Sequence, residues 1–402
     1  AWAWKDPVLW DFLRPNLYTM VLTAEGRGWR DQVRDRFGFR EFRVEGRGFL
    51  LNERPFNLRP MVWLDSQGVA GMRDCMAGVI DGLAGANFNL LEVWPEDSME
   101  RGTARYWDDW AAVADEKGFP LMFPALAISS FVPGGGAWDL AGTPEGWAAW
   151  ERAMAAEWRR HRNRPSIVIS VSTANTWGFG DDQNPLRIGN SRALAGTGAR
   201  ARRDLAGARM VEAIGRLDPT RPVTAHHGGA VGDFQTCNTY LCLTPLQERE
   251  DWPGEWAKSG DKPFMAVEFG TPLSTSFERG RGSYGAARTS EPLVTEYCAI
   301  YLGDEAYRLE RNEYRDMIAG AFRGGQEYGW TGGPVLDGHP AHQEVQALFS
   351  RNTWRSWRTW GITGGMIPWE WGHGWKFRDA TVRRPEWRQG RAGTHVAEMD
   401  GS

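Results

Sequence analysis

Residues 88–126 contain, in order, the apolar run "FNLLEVW" (88–94), the amphipathic stretch "RYWDDWAAVADEKG" (105–118) and the apolar run "PLMFPAL" (120–126). Two strand-sized apolar runs around a segment with helical spacing are typical of parallel strands joined by a helix. The same alternation continues along the chain and predicts eight strands. The candidate strands are residues 56–63, 88–94, 120–126, 166–173, 222–227, 235–243, 263–270 and 364–372.

Eight strand–helix units in series predict an α/β fold in which the strands close into a (β/α)8 TIM barrel. A doubly wound open sheet is the alternative, but it needs a glycine-rich phosphate turn after its first strand. The sequence has no such turn there. We therefore assign residues 55–402 to a barrel, with an insertion around 271–350.

The first 54 residues follow a different pattern of short β-like segments, "LYTMVLTAE" (17–25), "FREFRVEG" (39–46) and "GFLLNERPF" (48–56). About three strands are too few for an independent sandwich, which usually takes ~100 residues. We expect residues 1–54 to be the C-terminal strands of a β-sandwich (immunoglobulin-like) domain. Because the chain opens without Met and shows no signal peptide, we also expect a processed or truncated N-terminus.

The charge balance argues against nucleic-acid and membrane partners. Charged residues make up 24% of the chain, the formal net charge is −4, and basic residues are mixed with acids. The apolar runs are too short to span a membrane. The four cysteines are not spaced as a zinc site, and we expect no metal and no cofactor. The cellular location stays open, with a periplasmic or secreted one preferred, and so does the oligomeric state.

The 23 tryptophans are an unusual number. Flat indole faces suit the C–H faces of sugar rings, but tryptophans also fill cores and interfaces. Composition leaves both interpretations open, and a carbohydrate is the partner that the first of them implies.

Glu268 is the sharpest candidate for a functional residue. It stands in "KPFMAVEFGTP" (262–272), an apolar strand that ends in a single carboxylate followed by glycine. A charge inside a core is costly, whereas at the mouth of a barrel strand it can face a cleft. The alternative is a structural carboxylate paired with an arginine.

Other polar and aromatic residues stand at the ends of the remaining candidate strands. His226 and His227 end the fifth strand; neighbours on a strand point to opposite faces, so both cannot easily bind one metal ion. We expect one of them, His227 in our assignment, to donate a hydrogen bond to a sugar hydroxyl, and a buried structural histidine is the alternative. The carboxylate of Glu370 can bind two adjacent sugar hydroxyls at once. The other candidates for substrate binding are Arg59, Trp94, Asn175, Thr176, Trp177, Tyr240, Trp369 and Trp371.

Five segments resemble glycoside hydrolase family 2 of clan A. "LWDFLRPNLYTMVLTAE" (9–25) and "DRFGFREFRVEGRGFLLNERPFNLRP" (35–60) resemble the junction between a sandwich and the first barrel strand. "RHRNRPSIVIS" (160–170) and "LDPTRPVT" (217–224) are similar to the approaches to the fourth and fifth strands. "KPFMAVEFG" (262–270) looks like the nucleophile strand. Their order and spacing carry the resemblance across nearly the whole chain.

The resemblance implies a retaining glycosidase. Glu268 matches the nucleophile, and Tyr240 matches an aromatic hydroxyl that orients it. Asn175 matches the residue that contacts the sugar 2-hydroxyl, and Trp369 resembles the tryptophan under the sugar. Arg59 would lie beneath the nucleophile, where a cation favours the ionised carboxylate.

Thr176 departs from the family pattern, which places the acid/base glutamate directly after the asparagine. A hydroxyl cannot protonate a glycosidic oxygen near neutral pH. One explanation is a relocated acid. Glu92, on the second strand where an arginine is expected, and Asp181 or Asp182 in "GFGDDQNP" (178–185) are the candidates. Against this, Glu92 could simply pair with Arg59, and the loop acids could belong to an ordinary turn.

The second explanation is a sugar-binding barrel that has lost turnover. A misaligned strand end is the third, but it does not help, because no Asp or Glu occurs between Pro165 and Gly180. We predict an exo-acting, retaining hydrolase of β-linked glycosides, with Glu268, Glu92 and Asp182 as catalytic candidates. The alternative is a carbohydrate-binding pseudoenzyme.

Overall fold

The computed structural model describes residues 4–65, 73–95, 104–126, 143–174, 199–226, 229, 231–239, 246–269, 299, 303–305, 340–368, 375–377 and 385–387. The strands in these ranges are β1 (Tyr18–Gly26), β2 (Trp29–Phe37), β3 (Phe42–Glu45), β4 (Gly48–Leu51), β5 (Arg54–Pro55), β6 (Pro60–Asp65), β7 (Leu90–Pro95), β8 (Leu121–Pro124), β9 (Ile167–Ala174), β10 (Val223–His226), β11 (Gln235–Thr239), β12 (Phe264–Phe269), β13 (Met366–Pro368), β14 (Trp375–Phe377) and β15 (Pro385–Trp387). The helices are α1 (Arg73–Gly85), α2 (Ala104–Lys117), α3 (Pro144–His161), α4 (Ala199–Leu217), α5 (Leu246–Asp251), α6 (Gly254–Ser259) and α7 (Pro340–Thr359).

Eight of the strands are parallel and form two sheets. The first sheet has the order β10-β9-β8-β7-β6, and the second has the order β11-β12-β13. In the described ranges, helices stand between all successive parallel strands except β10 and β11, and each of the eight predicted strand segments overlaps one of these strands. The predicted α/β class with parallel strands is therefore confirmed.

Backbone hydrogen bonds join the two sheets at both of their edges. The amide of Asp233, just before β11, donates to the carbonyl of Val223 in β10 at 2.8 Å. At the opposite edges, the amide of Leu58, before β6, donates to the carbonyl of Thr363, before β13, at 2.7 Å. At the first junction β10 is therefore followed by β11, the next strand in the chain, and at the second the first parallel strand, β6, lies beside the last, β13.

One face of the parallel strands packs against α1 to α4 in a helix core. The buried residues of α1 recur with helical spacing along one stripe, at Cys75, Met76, Val79, Ile80 and Leu83. Helix α3 begins where the sequence favours it, because the Thr143 hydroxyl accepts a hydrogen bond from the amide of Gly146 at 3.2 Å and Pro144 opens the helix.

The other face of the strands forms a strand core that contains no helix residue among the described ranges. Residues of β6 to β9, β12 and β13, together with Leu58 and Phe234 just before β6 and β11, meet there with side chains of β3 and β4. The strand core consists of Phe42, Phe49, Leu51, Leu58, Val62, Leu90, Trp94, Met122, Val168, Ile169, Val171, Phe234, Met265, Val267 and Ile367.

Strands β3 to β5 cover the strand core at the end where the parallel strands begin. The Phe49 ring meets the edge of Phe234, just before β11, at 5.4 Å between centroids. The predicted boundary between residues 54 and 55 falls inside β5 and does not coincide with a break between elements. The division of the chain into two domains stays a prediction.

Strands β1 and β2 form a separate antiparallel hairpin, with Tyr18 opposite Phe37 and Gly26 opposite Trp29. Large apolar side chains of this hairpin are exposed, including Leu22, Trp29 and Val33. The hairpin agrees with the predicted β character of this segment, and its membership of a sandwich stays a prediction. Among the described helices, none has the length and apolar character to cross a membrane.

Candidate active site

Three ionisable side chains from three parallel strands meet at full burial. Nδ1 of His226, on β10, lies 2.9 Å from Oε1 and 3.0 Å from Oε2 of Glu92, on β7. Nε2 of the same ring lies 3.2 Å from Oε1 of Glu268, on β12. All three side chains have 0% exposure. The imidazole thus joins two carboxylates across the two sheets.

Strand geometry explains why Glu92 faces this cluster. Side chains alternate between the two faces of a strand, and Leu90 and Trp94, two residues before and after Glu92, belong to the strand core. Leu91 and Val93 point the other way, into the helix core. Glu92 therefore shares the face of the strand core, with its carboxylate aimed at His226.

A β-bulge brings Glu268 to the same side. Strand β12 pairs Ala266 with Cys237 and Glu268 with Asn238, so Val267 has no partner in the pairing with β11. In a regular strand, Val267 and Glu268 would point to opposite faces. The extra residue lets Val267 belong to the strand core while Glu268 reaches the imidazole.

His226 is the last residue of β10, where a second irregularity lies. One residue of β10 lies between Thr224 and His226, whereas two residues of β9 lie between their partners, Val171 and Ala174. The Trp94 ring meets the imidazole nearly edge-on, with centroids 5.7 Å apart and an angle of 81°. The backbone end of β10 and the Trp94 ring together hold the imidazole between the carboxylates.

The electrostatics of the cluster favour a charged imidazole. Burial lowers the pKa of His226, because desolvation disfavours the imidazolium ion. The neighbouring carboxylates, Glu92 and Glu268, outweigh burial and raise this pKa to about 10. At neutral pH both ring nitrogens therefore carry hydrogens and donate to the carboxylates.

In this cluster the imidazole of His226 can hold a negatively charged carboxylate oxygen of Glu268 at a fixed position near the carboxyl end of β12. Glu268 is the fifth of six residues of β12. Active sites of α/β proteins with parallel strands lie at this end of the strands. The imidazole ring occupies the space between Glu92 and Glu268, so these two carboxylates do not face each other directly.

Arg59 does not lie where the sequence led us to expect it. It precedes β6, at the end where the parallel strands begin, and it is exposed. Its guanidinium Nε donates to the carbonyl of Asn87, and its amide donates to Oδ1 of Asn89 at 2.7 Å. The expectation that Arg59 lies beneath Glu268 is therefore wrong, because the predicted strand 56–63 includes Arg59 whereas β6 begins only at Pro60.

The alternative pairing of Glu92 with Arg59 is wrong for the same reason, since the partner of Glu92 is His226. The sequence contained a signal for this role of His226. "PVTAHH" (222–227) is an apolar strand that ends in a polar residue, like the strand of Glu268. The carboxylate partners of His226 could not be identified, because pairing across strands β7, β10 and β12 is not visible in one sequence.

The remaining predicted site residues lie outside the described residues, and their roles stay predictions. They are Asn175, Thr176, Trp177, Asp181, Asp182, His227, Tyr240, Trp369, Glu370 and Trp371. Trp94, the described aromatic candidate, is 5% exposed and packs in the strand core beside His226. In the described ranges, no group of three His, Cys, Asp or Glu side chains is arranged to hold a metal ion.

Core packing accounts for many of the tryptophans. Eleven of the 23 are buried in the described residues, so their number does not by itself indicate a sugar-binding surface. The eleven are Trp10, Trp63, Trp94, Trp107, Trp110, Trp147, Trp150, Trp158, Trp252, Trp256 and Trp357.

Comparison with known proteins identifies two curated relatives. The chain is 24% identical to β-galactosidase BoGH2A of Bacteroides ovatus over 292 residues, which are 67% of this chain and 33% of that protein. It is 26% identical to a β-glucuronidase of Streptococcus agalactiae over 180 residues, which are 42% of this chain and 28% of that protein. The chain thus spans at most about a third of the length of these relatives. No protein-family model matches it.

Among solved structures, similar chains include β-glucuronidases from two bacteria. The enzyme of Ruminococcus gnavus in complex with D-glucuronic acid matches with a TM-score of 0.48 and 19% identity, over 66% of this chain and 44% of that one. The β-D-glucuronidase of Dictyoglomus thermophilum matches with a TM-score of 0.48 and 20% identity, over 67% and 46%. The resemblance predicted from the sequence is confirmed: this chain is similar to the glycosidases of glycoside hydrolase family 2.

Proposed function

We propose that this chain carries the active site of a retaining, exo-acting hydrolase of β-linked glycosides, with Glu268 as its nucleophile. The observation that carries the proposal is the position of Glu268: fully buried, near the carboxyl end of β12, and hydrogen-bonded to a histidine that is charged at neutral pH. The similarity to a β-galactosidase and a β-glucuronidase supports it, since both are named for β-linked sugars.

We infer that the eight parallel strands close into a (β/α)8 barrel. Two glycines support this, one at each junction of the two sheets. A Cβ on Gly365 would lie 2.5 Å from Cδ of Pro60 and 2.7 Å from the carbonyl oxygen of Leu58. A Cβ on Gly232 would overlap the carbonyl oxygen of Val223. Such close backbone approach at both junctions is what a closed ring of strands requires.

The proposed reaction has two steps. An oxygen of the Glu268 carboxylate attacks the anomeric carbon, the bond from that carbon to the leaving oxygen breaks, and an acid donates a proton to the leaving oxygen. Water, deprotonated by the conjugate base of that acid, then attacks the same carbon and releases Glu268. The configuration at the anomeric carbon is retained because it is inverted twice.

The acid/base is a second carboxylate, and Asp182 is the stronger of our two candidates. In retaining glycosidases the two carboxyl groups stand about 5–5.5 Å apart across the sugar. The ring of His226 fills the space between Glu92 and Glu268, which leaves no room for a sugar there. Asp182 follows the fourth strand in sequence, six residues after Thr176, which stands where the family carries its acid/base.

The test is hydrolysis of a panel of aryl β-glycosides that includes the galactoside and the glucuronide. The Glu268→Gln variant keeps the size of the side chain and removes the nucleophile. We expect it to lose at least about 10⁴-fold in kcat/KM. Glu212→Gln, on the exposed surface of α4, is the matched control and should behave like the wild type. Hydrolysis that survives in Glu268→Gln contradicts the proposal.

A carbohydrate-binding pseudoenzyme is the second candidate, and Thr176 is the observation that favours it. This function predicts sugar binding without turnover. Calorimetry with the same sugars separates the two candidates: binding by the wild-type protein with no release of aryl alcohol supports the pseudoenzyme. Asp182→Asn then serves as a further test, because only the hydrolase requires that carboxylate.

A further inference from the structure

We propose that His226 is a positioning residue that holds Glu268 ionised and oriented as a permanent imidazolium, and that Glu92 is its counter-ion rather than an acid/base. The proposal deepens the function given above and rests on the role of Glu268 as nucleophile. It assigns a task to two buried groups, on β10 and β7, that the two-carboxylate mechanism does not use.

The first support is the number of hydrogen-bond donors and acceptors on the imidazole and on the two carboxylates. Both ring nitrogens of His226 lie within hydrogen-bond distance of a carboxylate, at 2.9 and 3.2 Å. A neutral imidazole has one donor and one acceptor, whereas an ionised carboxylate only accepts. Two ionised carboxylates are therefore satisfied together only by the doubly protonated ring.

The second support is the orientation of the ring. Nδ1 of His226 contacts both oxygens of Glu92, at 2.9 and 3.0 Å, so this carboxylate fixes the direction of the ring. Trp94 packs its edge against the imidazole and limits rotation. With the ring fixed at one side, Nε2 points at Oε1 of Glu268. A carboxylate that orients a histidine in this way acts through the histidine and not on the substrate.

The third support is the balance of charge. Among the described residues, the charged groups that act on the imidazole are Glu92 from β7 and Glu268 from β12. A buried carboxylate without a cation is strongly disfavoured. The cation that the sequence led us to expect beside Glu268 was Arg59, which lies at the opposite end of the strands. In the part of the chain that the structure describes, His226 supplies this charge instead.

The charge of His226 is tested without any substrate. Nitrogen-15 NMR of histidine-labelled protein reports whether both ring nitrogens carry hydrogens. At about pH 8, where an ordinary histidine is neutral, we expect His226 to be doubly protonated. Glu92→Gln should shift its deprotonation toward neutral pH, and Glu92→Asp should restore much of the wild-type behaviour. A single neutral tautomer at this pH in the wild type overturns the proposal.

Kinetics separate positioning from acid/base catalysis. If Glu92 acts through His226, Glu92→Gln lowers kcat about 10- to 100-fold with little change in KM. This factor is then the same for substrates with good and with poor leaving groups. If Glu92 is the acid, the loss is large for poor leaving groups and small for activated ones. A dependence on the leaving group therefore overturns the assignment of Glu92.

A second pair of variants addresses His226 itself. His226→Gln keeps a hydrogen-bond donor but not the charge, and we expect a loss of about 100-fold in kcat. His161→Asn is the matched control, because His161 is also buried and lies 2.6 Å from a carboxylate, that of Glu157, outside the site. Circular dichroism checks that both variants fold. Equal activity of the wild type and His226→Gln overturns the positioning role.

The outcomes distinguish failure of this inference from failure of the proposed function. If the wild type hydrolyses no glycoside, the function fails, and the NMR experiment still decides the charge of His226. If the wild type is active and depends on Glu268, but His226 is neutral at about pH 8, the function stands and the inference fails.

Discussion

Nε2 of His226 lies 3.2 Å from Oε1 of Glu268, and this contact joins β10 of one parallel sheet to β12 of the other. Glu92 adds a third strand from the first sheet. Both carboxylates and the imidazole are fully buried, and each comes from a different strand. The geometry of the site therefore depends on how closely the two sheets approach each other.

Gly365→Ala is expected to destabilise the protein. Gly365 has a φ of +79°, and its added Cβ would meet Pro60 at 2.5 Å. Left-handed backbone alone costs about 1–3 kcal/mol for a residue with a side chain, and the contact with Pro60 adds to this cost. Urea unfolding of the purified protein measures the loss. Gly78→Ala, in α1 with open space around it, should instead add about 0.5–1 kcal/mol. Equal stability of the two variants would refute the close approach of β6 and β13.

The His226 cluster makes stability depend on pH. The pKa of His226 is raised from 6.5 in the unfolded chain to about 10 in the folded protein, so folding binds this proton more tightly. The contribution is fully present below about pH 6.5, falls as pH rises, and is lost above about pH 10. Each pKa unit corresponds to about 1.4 kcal/mol, so the total is several kcal/mol. The unfolding free energy of the wild type, but not of His226→Gln, should fall across this range. Parallel curves for the two proteins would argue against the raised pKa.

Arg59→Ala should leave catalysis almost unchanged. The side chain lies where the parallel strands begin and donates to a backbone carbonyl, whereas Glu268 lies near the opposite end. We expect kcat and KM to change by less than about threefold, as for an ordinary surface substitution. Steady-state kinetics on an aryl glycoside measure this. A hundredfold fall in kcat would instead indicate that Arg59 acts on the nucleophile, Glu268.

Trp110→Ala should strongly destabilise the helix core. Trp110, on α2, has 0% exposure and packs against Trp63 of β6, with ring centroids 6.0 Å apart. Removing a buried tryptophan typically costs about 3–5 kcal/mol, because the cavity closes only in part. Trp29→Ala, at the exposed hairpin, should change stability by less than about 0.5 kcal/mol. Similar losses for both variants would mean that the hairpin is covered in solution.

The order of the strands could be predicted from the sequence because hydrophobic periodicity is local. Each candidate strand that the sequence indicates overlaps one of the parallel strands, and the predicted helical stretch 105–118 coincides with α2 to within one residue at each end. The strand ends were less certain. The predicted strand 56–63 includes Arg59, but β6 begins only at Pro60, and this shift put the expected cation at the wrong end of the sheet.

The partners within the site could not be predicted from one sequence. Glu92 and His226 are 134 residues apart, and His226 and Glu268 are 42 apart, so their pairing depends on strand order and on the bulge at Val267. Glu268 itself could be identified, because a lone carboxylate at the end of an apolar strand is a local feature. His226 also ends an apolar strand, which is an equally local feature, but this feature does not indicate which residues the histidine contacts.

The most direct test of the account is to trap the covalent intermediate. A 2-deoxy-2-fluoro β-glycoside with a good leaving group slows the second step, so the glycosyl-enzyme accumulates and its peptide can be identified by mass spectrometry. We predict a single sugar adduct on Glu268, formed in the wild type and absent from Glu268→Gln. A sugar attached to another carboxylate, or steady hydrolysis that Glu268→Gln retains, would contradict the central claim.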